Sequence, residues 1–132
     1  MKILQPPGWP RPRGYANGVS AQGRVLSVAG MIGWNAEGRF PDGFAAQARQ
    51  ALANIVAVPA EDGAKPEHIV RMTWYVVDKR EYLDAGAEVG RAYRELIGHF
   101  GVAMTAVQVV ALMEDRARVE IEVTAVVPQE QR

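Results

Sequence analysis

At 132 residues, 48% hydrophobic and 23% charged, the chain is long enough for one compact core and too short for two. Fifteen basic against fifteen acidic side chains leave no formal net charge, which removes the long-range attraction to phosphate that supports nucleic-acid binding. With no cysteine, disulfides, thiolate catalysis and Cys-based zinc sites are excluded.

Residues 1–14, MKILQPPGWPRPRG, break into prolines after two apolar residues and read as an extended arm without the long apolar stretch of a secretion signal. No later apolar run approaches membrane-spanning length, so a cytoplasmic protein is expected, with neither a membrane nor a nucleic acid as partner. A single domain over residues 15–128 and a short tail, 129–132, complete the expected organisation. Tyr15 to Ser20 and Arg24 to Ile32 are short apolar stretches split by Ala21, Gln22 and Gly23, a hairpin pattern. Gly33 to Gly43 is a loop dense in breakers. From Asp42 the spacing changes: Phe44, Ala48, Ala51, Leu52, Ile55 and Val58 recur at helical intervals, and Pro59 should kink or end the helix. Ile69 to Val77 predicts a strand with Val70, Met72, Trp74 and Val76 on one face and Arg71, Thr73, Tyr75 and Val77 on the other.

Asp78 followed by Glu81 resembles a capping box, and Tyr82, Ala85, Val89, Ala92, Tyr93, Leu96 and Ile97 mark a second amphipathic helix closed by Gly98 and Gly101. The last quarter holds two apolar runs, Ala103 to Leu112 and Arg118 to Pro128, separated by the polar turn Met113 to Ala117. In the second run Val119, Ile121, Val123 and Ala125 alternate with Glu120, Glu122 and Thr124, giving one buried and one carboxylate-bearing face. The pair predicts a hairpin. Two helices can cover one face of a four- or five-stranded sheet, which leaves Tyr75, Val77 and Val126 on the other. The simplest cover is a further copy of the chain, arranged in a closed ring.

The stretch VAGMIG from Val28, the helix AQARQALANI, the strand IVRMTWYVVD, and AMTAVQVVAL followed by VEIEVTAVV together resemble the Rid (YjgF, reactive intermediate deaminase) family over Tyr15 to Pro128. The resemblance implies an α+β, chorismate-mutase-like fold: a mainly antiparallel sheet with two helices on one face, closing into a trimeric barrel. It further implies a homotrimer with small-molecule clefts between subunits, and release of ammonia from reactive enamines and imines by water, with no cofactor. Such chemistry needs an anchor for the substrate carboxylate and a group that directs water. In deaminating members an arginine precedes the Ser or Thr that opens the penultimate strand; the match here places Met104 there, followed by Thr105. An Arg–carboxylate contact contributes about 1.5–3 kcal/mol, so its loss implies about ten- to a hundredfold weaker capture of an imino acid. Met104 offers a polarizable apolar surface instead.

By the same resemblance Glu120 matches the family's acid and is the catalytic candidate, Gly30 matches a glycine that admits the ligand, and Tyr15 falls where a tyrosine lies near the cleft. Ala29 stands in place of a frequent serine, and an asparagine of the second helix has no secure counterpart. Each choice has a plainer rival. On pattern alone Glu120 and Glu122 suit the solvated face of a strand, Met104 suits ordinary packing, and Trp74 and Tyr75 suit core and interface. Arg71 either enters the inter-subunit space or pairs with Glu120 or Glu122, and Trp34 is either a pocket lid or packs locally. His68 and His99, 31 positions apart, do not make a metal site. Three readings follow: a Rid-like hydrolase of altered specificity, distinct from a standard 2-aminoacrylate deaminase; a trimer that binds a small metabolite without turnover; and a structural or partner-binding trimer.

Overall fold

The computed structural model describes residues 1–129; most of the expected tail lies outside them. Its centre is a four-stranded sheet in the order β3-β6-β4-β5, built from β3 (Arg24–Ile32), β4 (Ile69–Val76), β5 (Ala103–Gln108) and β6 (Val119–Val127). The β3–β6 and β6–β4 pairs are antiparallel and the β4–β5 pair is parallel. Helices α1 (Phe44–Ala60), α2 (Lys79–Asp84) and α3 (Gly86–Leu96) complete the layer arrangement, with α1 packed on β3 and β6 and α3 beside α1. This is the mixed α+β architecture expected. A separate two-stranded ribbon joins β1 (Lys2–Leu4) to β2 (Gly18–Ser20).

The core lies between the helices and one sheet face. Phe44, Ala48, Ala51, Leu52 and Ile55 of α1 meet Met72, Trp74 and Val76 of β4 and Val119, Ile121, Val123 and Ala125 of β6, all buried. Alternation along β6 is as the sequence predicts, so Glu120, Glu122 and Thr124 share the opposite face. On β4 a register shift between Ile69 and Arg71 turns Ile69 into the core and leaves Val70 only half-buried, a one-residue correction to the predicted face. Pro59 lies one residue before the end of α1, where its missing N–H costs little further helix.

Both expected hairpins are absent. β2 pairs with β1, not β3. β5 does not pair with β6 either: the α2–α3 crossover delivers it parallel to β4, and β6 then returns between β3 and β4 with both its edges satisfied. The apolar run from Ala103 contributes strand only to Gln108, after which Val110 and Met113 stand exposed. The second predicted helix is two, broken at Ala85 ahead of Gly86. Asp78 caps the first of them, accepting from Arg80 N at 2.8 Å, but Glu81 does not close a box. It pairs with Arg118 instead, which holds the arginine's pKa above its ordinary value.

Polar positions of α1 fix the neighbouring loops. Gln47, 4% exposed, donates through Nε2 to Arg116 O at 3.1 Å and accepts from Arg118 N at 2.8 Å. Asn54 Nδ2 donates to the carbonyls of Ile32 and Trp34, each at 2.9 Å, while Gln50 Nε2 donates to Asn54 Oδ1. These contacts hold the end of β3 against the helix. Among the described residues no helix is long and apolar enough to cross a membrane.

Candidate functional site

A cavity of about 690 Å³ lies between α2–α3 and the β4–β5 side of the sheet. Tyr15 and Met104, two of the five sequence-derived site residues, line it together with Trp74, Tyr82, Tyr93 and Phe100. Met104 reaches it because β5 runs parallel to β4 with Met104 opposite Met72, on the helix-covered face. Tyr15 is placed by a bridge from Ala16 to Ala103 and a 2.9 Å bond from Ala16 N to Val102 O, which tie the chain before β2 to the edge of β5. Burial pushes the Tyr93 hydroxyl up to about 12, so it stays protonated at neutral pH, and raises that of Tyr82 in the same direction.

Gly30 and Glu120 come together elsewhere. The register of β3 against β6 slips between Val28 and Met31, and the resulting bulge lays Gly30 beneath the Glu120 side chain. A Cβ at residue 30 would lie 2.8 Å from Glu120 Cδ and 2.9 Å from Cγ, so only glycine leaves that carboxylate where it is. Glu120 sits opposite Tyr75, whose hydroxyl donates to Glu122 Oε1 at 2.5 Å. That bond, more than burial, raises the tyrosine's pKa. Glu122 is thereby engaged, whereas among the described residues the Glu120 side chain makes no hydrogen bond or ion pair. Thr105, opposite Thr73, belongs to this same outer face.

Within one chain, therefore, the expected cleft is not assembled: Tyr15 and Met104 lie on the helix-covered side of the sheet, Gly30, Thr105 and Glu120 on the other. The pleat forces this, since Glu120 is flanked by the buried Val119 and Ile121. Arg71 shares the outer face but, among the described residues, makes no ion pair with Glu120 or Glu122, contrary to the expected salt bridge. Arg24 is engaged with Asp62. Trp34 packs against Phe40, ring centroids 5.8 Å apart, and does not line the cavity. His68 accepts from Lys65 N through Nδ1, whereas His99 lines the cavity.

The arm arginine Arg13 lines the cavity, as do Gly90 and Arg94, which the sequence analysis does not single out. For the latter two the spacing is a signal: Gly86, Gly90 and Arg94 recur every four residues on one helical face, beside the apolar stripe that marks the helix.

Residues 10–127 match the endoribonuclease L-PSP family (Ribonuc_L-PSP). A RutC family protein of Aquifex aeolicus is 33% identical over 129 residues, spanning 96% of this chain and 99% of its own. The 2-iminobutanoate/2-iminopropanoate deaminase of Escherichia coli K12 is 34% identical over 113 residues, 85% of this chain and 86% of its own. Among solved structures, the Rid family protein YyfB of Yersinia pestis superimposes with a TM-score of 0.80 at 31% identity, covering 96% of this chain and 98% of that one. E. coli TdcF, solved with bound serine, gives 0.68 at 26% identity over 96% and 99%. The strands and helices that carried the sequence resemblance thus coincide with a matched span of nearly the whole chain, which belongs to the Rid (YjgF, endoribonuclease L-PSP) family.

Proposed function

We propose that the chain is one subunit of a homotrimeric hydrolase of reactive imines or enamines, in which the Tyr15–Met104 wall of one copy faces the Gly30–Glu120 wall of the next. The observation that carries this reading is the division of the site: two sets of candidate residues occupy opposite sides of one sheet, so a complete cleft requires two copies. The outer sheet face, with Val25 and Val107 exposed beside Glu120, Thr105 and Tyr75, is the surface a neighbour would cover. The deaminase activity named for the E. coli relative supports the reaction class.

In this reading Glu120 holds a water and takes its proton as the oxygen adds to the C=N carbon. The π electrons pass to nitrogen, which gains a proton; collapse of the resulting carbinolamine forms C=O and expels ammonia. The atoms balance with water as the only co-reactant. Met104 makes no charged contact with a substrate carboxylate, so short imino acids are captured weakly. That substitution also favours a second reading, a trimer that holds a metabolite without turning it over.

The test is ammonia release from 2-iminopropanoate generated in situ, with Glu120→Gln as control and light scattering for assembly. Slow, Glu120-dependent release by a species three times the 14.4 kDa chain mass is the expected outcome. Binding without Glu120-dependent turnover would select the second reading, and a stable monomer would refute both.

A further inference from the structure

The cavity beside Met104 is larger and chemically richer than a three- or four-carbon imino acid needs. At about 690 Å³ it falls within the range of pockets that enclose drug-sized ligands. Its walls include Tyr15, Trp74, Tyr82, Tyr93 and Phe100, with the Met104 thioether among them, a lining that favours a flat ring. Among the described residues Trp74 Nε1 and Tyr93 Oη have no hydrogen-bond partner, but both atoms are enclosed by protein, so the polar contacts open to a ligand come from the more exposed side chains of the lining.

The charges of the lining all have one sign. Arg13 and Arg94 face the cavity, no Asp or Glu does, and among the described residues neither arginine forms an ion pair. Arg94 Nη1 lies close over Gly90, on the same helical face.

We infer that this cavity binds an aryl-bearing carboxylate, its ring against the aromatic wall and Met104 and its carboxylate at Arg94 and Arg13. The cationic anchor is not lost from the site but moved outward from the strand to the helix and the arm, selecting a longer acid. The inference names a substrate class for the hydrolase proposed above and rests on that reading for the reaction only. Binding itself is independent of it.

The experiment is calorimetric titration of the native oligomer with indole-3-propionate, propionate and 3-(indol-3-yl)propan-1-ol. Indole-3-propionate should bind most tightly. Arg94→Gln, at an exposed position, should weaken it about ten- to a hundredfold, as for loss of a charge-assisted bond. A thermal melt of Arg94→Gln separates loss of the contact from loss of folding, and Arg13→Gln decides the matter if that variant is unstable. Absence of binding, as when a neighbouring copy fills the cavity, overturns the inference; so does propionate binding as tightly, or affinity unmoved by Arg94→Gln. If the aryl acid binds in the expected way but no imine is hydrolysed, the inference stands and the hydrolase reading falls. If Glu120-dependent turnover of short imines occurs without aryl-acid binding, the reverse holds.

Discussion

Gly30 and Gly33 stand three residues apart at the end of β3, and alanine at each should fail in a different way. At Gly33 an added Cβ would lie 2.7 Å from Gln47 Cα and 2.8 Å from Gln47 Cβ, and closer still to the Gln47 carbonyl oxygen. Carbon atoms pack at about 3.5–4.0 Å, so the overlap approaches 1 Å. The obstacle is helix backbone, which no rotamer change removes. Overpacking of this kind costs about 1–3 kcal/mol. Displacing Gln47 also strains its bonds to Arg116 and Arg118, adding about 1 kcal/mol, while the narrower unfolded ensemble of alanine returns about 0.4–1. The net expectation for Gly33→Ala is a loss of about 1–3.5 kcal/mol.

At Gly30 the obstacle is the Glu120 side chain, which can swing outward. Gly30→Ala should then change stability by less than about 1 kcal/mol, yet move the carboxylate that is to direct water, lowering turnover by about a hundredfold, within the range for general acid–base groups. Urea unfolding of both variants measures the first quantity, as a change in midpoint at constant m, and ammonia release from an imine measures the second. Equal destabilisation by the two alanines would refute the distinction. So would a Gly30→Ala protein as active as wild type when Glu120→Gln is inactive.

Other expectations are simpler to state. Met104→Arg should raise ammonia release from 2-iminopropanoate by about ten- to a hundredfold, the strength of the restored carboxylate contact; an unchanged rate would show that this position does not meet the substrate. Gln47→Ala leaves Arg116 O and Arg118 N without their partner and should cost about 2–3 kcal/mol in urea unfolding. Tyr93→Phe removes a buried hydroxyl without a partner and should be neutral or slightly stabilising at pH 7. Because the folded-state pKa of Tyr93 lies above its unfolded value, its contribution is complete below about pH 10 and is lost as pH rises towards about 12. Tyr93→Phe should therefore flatten the fall in urea midpoint over that window, and an identical fall in wild type and variant would contradict the assignment.

The sequence by itself determined what depends on local periodicity: α1 from its apolar stripe, β4 and β6 from their alternation, and the side of β6 on which Glu120 stands, because a two-residue repeat leaves a strand side chain no third direction. It determined the family too, since the ordered set of motifs survives in the chain. Which strands pair was decided by the tertiary structure. Two apolar runs close in sequence suggest a hairpin, but β5 gains a partner in β4 only through the parallel crossover, and β6 buries more by lying between β3 and β4 than by pairing with its neighbour in sequence. The site follows the same division. Tyr15, Gly30, Met104, Thr105 and Glu120 were legible as residues, whereas their separation onto two sides of one sheet depends on strand order. The convergence of Arg13, Tyr15, Arg94 and Met104 on one cavity is a fact of packing between elements far apart in the chain, which no local pattern encodes.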